Sequence, residues 1–233
     1  MAHPAAGPHQ LLTLTLTLTL TLTLTRSAGG ARGPRGPAKK VRDAAMSSAG
    51  RDGLPGMTEK NPYETINLDS VGYGTPVFPW SRASEELAAD TGTVIGRPYF
   101  LSTVSPKGAP HAAGIGALWD DGDMYFVSGP GTRKSRHLAA NPACAITARL
   151  DSLDLTMEGA AARVTDPAIL EHLAVLYRAG GWPAEVEDDA FTAPYSAPSA
   201  GPAPWYLYHF IIHSAVGVGI RAPEGATLWR FAH

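Results

Sequence analysis

The sequence predicts a mainly β domain with flanking α-helices, folded as a small closed or split β-barrel of six to seven antiparallel strands and two to three helices. Short segments rich in β-branched and aromatic residues recur along the chain, with turn residues between neighbours. Helical patterns are few and stand between groups of strands. There is no repeating alternation of strands and helices and no glycine-rich turn after the first strand, which argues against a doubly wound dinucleotide-binding sheet.

The individual elements follow from turn signals and side-chain periodicity. SPKG at 105–108 joins the first two strands and DDGD at 120–123 leads to the third, so these three strands form a meander. DSLD at 151–154 joins the next two strands as a second hairpin. Strands are predicted at 97–104, 110–119, 124–128, 143–150, 155–164, 205–212 and 226–231; helices at 81–90, at 133–140 and over about a dozen residues from 167; and a long loop at 182–204.

Residues 1–56 differ in composition from the rest of the chain. Leu12 to Thr25 are seven LeuThr pairs, a low-complexity tract too short and too rich in hydroxyls for a membrane-spanning helix. The basic stretch 26–42 is rich in Gly and Pro, as a disordered linker is. We therefore expect a disordered or non-native N-terminal extension at 1–56, with a natural start at Met57 or Met46, and one domain at 57–233. An organelle transit peptide is the functional alternative for the extension.

The charge of the chain is distributed unevenly. The formal net charge is -2 at pH 7, but residues 57–233 hold twelve basic and nineteen acidic residues, a net charge of -7. An acidic domain argues against nucleic acid or an anionic membrane as the main partner, because both select basic surfaces. The single cysteine, Cys144, lies in an apolar run and is interpreted as a structural thiol in a reducing compartment, the cytoplasm.

The segment SGPGTRKSRH at 128–137 is the strongest candidate for chemistry. Its glycines allow backbone amides to converge at the start of a helix, where the helix dipole favours an anion. Arginine and lysine side chains add formal positive charge suited to phosphate oxygens, and serine and threonine add hydroxyl donors. The alternative is an ordinary capped helix start whose cations face water. The candidate anion-binding residues are Ser128, Gly129, Gly131, Thr132, Arg133 and Lys134.

Five stretches of the sequence together point to a known family. They are RPYFLSTVSPKGAPH at 97–111, GPGTRKSRHLAANP at 129–142, MEGAAARVTDP at 157–167, TAPYSAPSAGPAPW at 192–205 and TLWRF at 227–231. These stretches resemble the pyridoxamine 5'-phosphate oxidase-like split-barrel proteins, and most closely their actinobacterial branch of flavin- or deazaflavin-dependent oxidoreductases. Leu228 departs from the closing pattern of such proteins, in which we expect an arginine, and this puts contacts from the last strand in doubt.

The resemblance implies an FMN-binding-like split barrel that dimerises, with two cofactor sites along the dimer interface and the basic stretch holding the cofactor phosphate. The implied activity is hydride transfer between coenzyme F420 or FMN and a small organic substrate, with F420 preferred over FMN. The rival interpretation is a carrier or sensor that binds flavin, deazaflavin or haem without turnover. A dimeric scaffold with no cofactor is the third. The sequence identifies neither a catalytic acid or base nor the substrate.

Other polar and aromatic residues have weaker functional signals. His111 either faces a cofactor ring or points into solvent, and Trp182 and Trp205 either line a pocket or anchor the loop between them. Trp229 and Phe231 are expected in core or dimer packing. The acidic run 185–189 is expected to be solvated. The histidines show no metal-ligand spacing, and no nucleophile elbow is present.

Overall fold

The computed structural model describes residues 61–90, 97–197 and 200–232. The predictions for residues 1–56 lie outside these described residues. The described chain forms three helices, α1 (Ser81–Ala88), α2 (Arg133–Ala140) and α3 (Pro167–Ala179). Its strands are β1 (Glu64–Asn67), β2 (Tyr99–Val104), β3 (Pro110–Ile115), β4 (Ala117–Asp120), β5 (Asp123–Ser128), β6 (Ala143–Arg149), β7 (Leu153–Arg163), β8 (Glu185–Glu187), β9 (Ala190–Thr192), β10 (Tyr206–Gly219) and β11 (Ala226–Arg230).

The main sheet closes on itself as a split barrel. Its order is β1-β11-β10-β7-β6-β2-β3, and every pairing is antiparallel. The chain continues from β3 through Gly116 into β4, which pairs with β5, and β5 in turn pairs with the first half of β10. The path β10-β7-β6-β2-β3/β4-β5 therefore returns to β10. Among the described strands β3 pairs only with β2, so the wall formed by these strands is open between β3 and β5.

Apolar side chains fill the barrel and a second layer beneath α3. Leu101, Ile146, Met157 and Phe210 are fully or almost fully buried in the barrel interior. Strands β5 and β10 also bury their opposite faces, where Tyr125 and Leu207 pack with α3. Leu170, Leu173, Ala174 and Tyr177 are the buried residues of α3, on the helix face that the sequence predicts. Alternate residues of β5 and β10 thus pack into the barrel interior and into the layer beneath α3.

Capping and turn residues set the limits of several elements. Asp166 accepts hydrogen bonds from the backbone N–H groups of Ala168 and Ile169 at 2.8 and 3.1 Å, and Pro167 opens α3. Asp121 and Gly122 both have positive φ, 47° and 86°, as a two-residue turn between β4 and β5 requires.

The mainly β class, the three helices and the strand order of the meander are confirmed, whereas several boundaries differ from prediction. The strand predicted at 110–119 breaks at Gly116 into β3 and β4, and the strand predicted to end at 212 extends to Gly219. The predicted loop 182–204 contains the short hairpin β8–β9, and β1 was not predicted. Eleven strands are described in place of six or seven, although the barrel wall itself has six if β3 and β4 count as one. None of the described helices is long and apolar enough to cross a membrane.

Candidate functional site

A cavity of about 410 Å³ lies beside the opening in the barrel wall. This volume falls within the range of about 300–1,000 Å³ that small-molecule sites occupy. Five aromatic side chains and one lysine contribute to its wall. The lining residues are Asp90, Arg97, Pro98, Tyr99, Gly114, Ile115, Gly116, Ala117, Val127, Lys134, Tyr177, Trp182, Tyr195, Ser196, Ala197, Ala200 and Trp205.

One wall of the cavity is bare backbone at the junction of β3 and β4. A Cβ atom added to Gly114 or Gly116 would meet no other atom within 4 Å. The two glycines are therefore not required for packing within the described protein. They leave space that a flat ligand can occupy against the backbone, and any larger residue would fill that space.

Lys134 brings positive charge to the same cavity. It lies in the first turn of α2, and its side chain is directed toward the protein, so that only 5% of the residue is exposed. Burial lowers the pKa of its ammonium group below the ordinary value of 10.5. A buried ammonium group at a cavity wall binds an anionic ligand more strongly than an exposed one does, because the local dielectric is low.

The hydroxyls at the start of α2 bind one another. Thr132 caps the helix by accepting the Ser135 N–H, and its Oγ1 lies 2.9 Å from the Ser128 Oγ. The Ser135 hydroxyl donates to the Ser128 Oγ at 2.8 Å. Ser128 is fully buried. This network holds the helix start in place, and Ser128 acts through it rather than by facing the cavity.

The two glycines of this loop have different surroundings. The N–H of Gly129 donates to the Ala200 carbonyl at 3.1 Å, and a Cβ at this position would lie only 2.4 Å from that oxygen. Only glycine permits this approach, which attaches the chain at residue 200 to the loop before α2. Gly131 is exposed, and a Cβ there would meet nothing within 4 Å.

Arg133 points away from the cavity that Lys134 lines. Its guanidinium NH1 lies 3.5 Å from Nδ1 of His111 on β3, and Arg133 itself is exposed. The sequence predicts one clamp containing both cations. The structure places them side by side along β3, with Lys134 in the cavity and Arg133 at the surface beyond it.

The chain also matches a known family in sequence. Residues 96–200 match the family model described as pyridoxamine 5'-phosphate oxidase. This match confirms the resemblance to the pyridoxamine 5'-phosphate oxidase-like proteins that the sequence predicts. No curated protein matches the chain.

Three solved structures illustrate the structural similarity. A pyridoxamine 5'-phosphate oxidase-related, FMN-binding protein from Nostoc punctiforme is 16% identical, covering 66% of this chain and 91% of its own, with a TM-score of 0.46. An F420 reductase is 22% identical, covering 51% and 88%, with a TM-score of 0.36. A heme-binding protein from Mycobacterium smegmatis is 15% identical, covering 61% and 57%, with a TM-score of 0.42.

The segment that matches the pyridoxamine 5'-phosphate oxidase family model supplies nearly all of the cavity wall. Of the lining residues, only Asp90 and Trp205 lie outside residues 96–200. The candidate loop and α2 fall wholly inside the segment.

The chain between Gly181 and Trp205, described except at 198–199, covers one side of the cavity. Trp182 donates its indole N–H to the Tyr195 carbonyl at 2.7 Å, and the Tyr195 hydroxyl donates to the Gly181 carbonyl at 2.9 Å. The rings of Trp182 and Trp205 pack at a centroid distance of 5.6 Å. Both tryptophans line the cavity, which was one of the two predicted alternatives.

A charged cluster that the sequence analysis missed lies in another part of the wall. The Tyr99 hydroxyl donates to the Asp90 carboxylate at 2.9 Å, and Arg97 Nε lies 4.0 Å from the same oxygen. Burial, and then the Asp90 charge, raise the pKa of Tyr99. The segment GRP at 96–98 carried no recognisable signal, because the partner Asp90 precedes it in the chain and contributes only through the fold.

The remaining candidate residues lie outside the cavity wall. Trp229 and Phe231 are buried in the core beside Trp80, as expected. In the acidic run 185–189 most residues are exposed, and Asp189 pairs with Arg163 at 2.7 Å. Burial raises the pKa of Cys144 to about 12, consistent with an unreactive thiol. The described residues contain no group of three or more side chains placed to hold a metal ion.

Proposed function

We propose that this protein is a flavin- or deazaflavin-dependent oxidoreductase that transfers a hydride between a bound cofactor and a small organic substrate. The observation that carries the proposal is the cavity with a bare glycine wall, aromatic residues and one buried ammonium group. A planar ring with an anionic tail has the complementary shape and charge. The match to the pyridoxamine 5'-phosphate oxidase family over residues 96–200 supports the same class of ligand.

The residues present fit such a cofactor. Gly114 and Gly116 leave room for a ring to lie against the backbone, and Trp182 and Tyr195 cover the cavity and exclude water. Lys134 neutralises an anionic group near the start of α2. When bound, FMN or F420 supplies the hydride chemistry itself.

The composition of the wall favours a flavin-type ring over haem. Protein-bound haem iron is commonly held by His, Cys or Met, and in catalase by Tyr. The described wall of the cavity contains no His, Cys or Met, and the hydroxyls of Tyr99 and Tyr195 are bound to Asp90 and to the Gly181 carbonyl, whereas the open backbone and the aromatic rings suit an uncoordinated planar ring.

We also propose that the protein forms a homodimer, with the cavity next to the dimer interface. One cross-strand row on the outer sheet face contains no charged residue and begins at Gly114 in the cavity wall. Phe100, the next residue in that row, is 49% exposed. An uncharged, partly exposed row beside the cavity suits contact with a partner. The row is Gly114, Phe100, Thr147, Thr156, Val216, Leu228 and Ile66.

Anaerobic reoxidation tests the proposed activity. The full chain is loaded with reduced FMN or reduced F420 and mixed with a panel of small organic electron acceptors, against the same mixture without protein. We expect at least one acceptor to oxidise the bound cofactor faster than the free one. Binding of a cofactor with no acceptor-dependent acceleration would favour a carrier or sensor. Absence of binding would leave the scaffold interpretation.

A further inference from the structure

Three tyrosines of the described chain line the cavity, and their hydroxyls differ in their hydrogen-bond partners. The Tyr99 hydroxyl donates to the Asp90 carboxylate at 2.9 Å. The Tyr195 hydroxyl donates to the Gly181 carbonyl, also at 2.9 Å. Tyr177 is only 7% exposed, and its buried hydroxyl has no hydrogen-bond partner among the described residues. Because an unpaired buried hydroxyl has lost its hydration without compensation, such a group needs an explanation.

The surroundings of the Tyr177 hydroxyl are aromatic and uncharged. Tyr177 lies in the last turn of α3, and the rings of Trp182 and Phe191 meet its ring edge to face at centroid distances of 5.4 and 5.8 Å. Burial raises the pKa of Tyr177, and no charge of the described residues contributes to that shift. The hydroxyl therefore stays protonated, which makes it a hydrogen-bond donor and disfavours the ionised form that haem iron would bind. An anion would be costly in these surroundings, so they favour an uncharged acceptor.

Tyr177 contributes to the cavity from an element that the proposed cofactor contacts do not use. The groups assigned to the cofactor are Gly114 on β3, Gly116 at the junction of β3 and β4, and Lys134 on α2. Hydride transfer needs a second reactant in the same cavity, next to the cofactor ring. The wall at α3 is available to that reactant, the substrate.

We propose that Tyr177 determines substrate specificity by donating a hydrogen bond to the carbonyl oxygen of a small, largely apolar substrate. A carbonyl oxygen is a strong uncharged acceptor, and the carbonyl group also makes a substrate carbon electrophilic toward hydride. A molecule without this oxygen leaves the Tyr177 hydroxyl unpaired and binds more weakly. The assignment of the ligand as the substrate rests on the proposed function, because it names the second reactant of the same site.

Trp182 controls access to the Tyr177 hydroxyl. The hydroxyl oxygen has no contact with solvent, although the residue lines the cavity. Trp182 is only partly buried, and its indole N–H is bound to the Tyr195 carbonyl of the chain that covers the cavity. The substrate reaches the hydroxyl when the Trp182 ring turns away from Tyr177 and the substrate takes its place.

Infrared spectroscopy of a bound ketone tests the hydrogen bond directly. The probes are 1-indanone, labelled with carbon-13 at its carbonyl, and indane, which lacks the oxygen; both are added to the full chain without cofactor. We expect the carbonyl band of bound 1-indanone at lower frequency in the wild type than in Tyr177→Phe, because an accepted hydrogen bond weakens the C=O bond. The variant should bind 1-indanone roughly 2- to 10-fold more weakly than the wild type, and indane at least as well. An unchanged band, or no binding of 1-indanone to the wild type, would overturn the proposal.

Thermal unfolding provides the control for a structural role of the hydroxyl. Tyr177→Phe removes a group without a partner among the described residues, so the variant should melt at or above the wild-type temperature. Tyr195→Phe loses the hydrogen bond to Gly181 and should melt lower. Tyr73→Phe, at an 80% exposed position outside the cavity wall, should change neither the melting temperature nor the carbonyl band. A large loss of stability in Tyr177→Phe would show that the hydroxyl has a partner within the protein, and the proposal would fail.

The same spectra in the presence of FMN or F420 separate this inference from the proposed function. A carbonyl band that depends on Tyr177, in a chain that binds neither cofactor, would support the carbonyl subsite and contradict the proposed function. Cofactor binding together with a band that Tyr177→Phe leaves unchanged would contradict the subsite alone. We expect the low-frequency band to persist when the cofactor is bound. Its loss on cofactor binding would assign the hydroxyl to the cofactor and overturn the substrate assignment.

Discussion

At the scale of single residues, the sequence predicts which segment carries the positive charge but not where each cation points. Successive residues of a helix are separated by about 100° around its axis. Arg133 and Lys134 therefore face different directions, and the docking of α2 against β2 and β3 decides which one lines the cavity. His111 joins this site only because β3 runs beside α2. Such a neighbour has no local signal in the sequence.

Lys134→Met should separate binding from stability. If the proposed cofactor site is right, the substitution removes a charge–phosphate contact of about 1.5–3 kcal/mol, so FMN affinity should fall by roughly 10- to 150-fold, while riboflavin affinity stays nearly unchanged. Lys107→Met, an exposed lysine in the β2–β3 turn, is the matched control. Equal loss of riboflavin and FMN affinity would show that Lys134 acts on packing and not on the phosphate.

The same variant gives a pH prediction. Because burial lowers the pKa of Lys134, the unfolded chain binds more protons than the folded chain between the lowered value and 10.5. The buried charge thus destabilises the free protein at neutral pH, and that penalty disappears as the pH rises through this interval. Urea unfolding should show Lys134→Met more stable than wild type at pH 7, with the difference shrinking at alkaline pH. A difference that stays constant with pH would contradict the assignment.

At the scale of elements, the sequence predicts those strands whose periodicity is continuous. It misses the second half of β10, where Gly217 and Gly219 weaken the strand signal. The structure explains Gly217 by packing, since a Cβ there would lie 2.6 Å from the Trp229 ring. Gly159 in β7 likewise faces the Ile211 carbonyl, at 1.9 Å from a Cβ position. Tertiary contacts select these glycines. Local propensity misses the end of β10, whereas the predicted strand at 155–164 tolerates Gly159 and matches β7.

The start of α2 depends on its threonine cap. Thr132→Ala removes the acceptor for the Ser135 N–H and should lower the free energy of unfolding by about 1 kcal/mol, within a range of about 0.5–2. Ser128 and Ser135 still bind each other, so the loop should keep its path. Thr132→Ser retains the hydroxyl and is the control. Equal destabilisation by both substitutions in urea unfolding would show that the methyl group, rather than the cap, contributes the stability.

At the scale of the whole molecule, sequence patterns predict the antiparallel β class and the helices. They do not predict that the strands close into a barrel. Closure depends on β10, which pairs with both β7 and β5, strands that precede it by about 40 to 90 residues in the chain. The cavity arises at the place where β3 leaves the wall and β4 resumes it. Its lining residues extend from Asp90 to Trp205, so only the folded chain brings them together.

Dimerisation is the whole-molecule prediction. Phe100→Lys places a charge in the uncharged row, next to Gly114, and should shift the protein from dimer to monomer in analytical ultracentrifugation. Because Phe100 is directly opposite Gly114, cofactor affinity should decrease in parallel. Val175→Lys, at an exposed position on α3, is the matched control and should leave the dimer intact. A wild-type chain that is already monomeric would contradict the proposed assembly.

The central claim, that a planar cofactor occupies the cavity against bare backbone, is tested most directly by measuring FMN and F420 binding to the wild type and to Gly116→Val. A side chain at position 116 meets no protein atom near its Cβ, so the variant should fold and melt like the wild type. We expect micromolar or tighter binding of one cofactor to the wild type and a loss of at least about tenfold in the variant, equivalent to 1.4 kcal/mol. Ala112→Val, on β3 four residues before Gly116 and outside the cavity wall, should bind normally. Undiminished binding by a well-folded Gly116→Val protein would contradict the account.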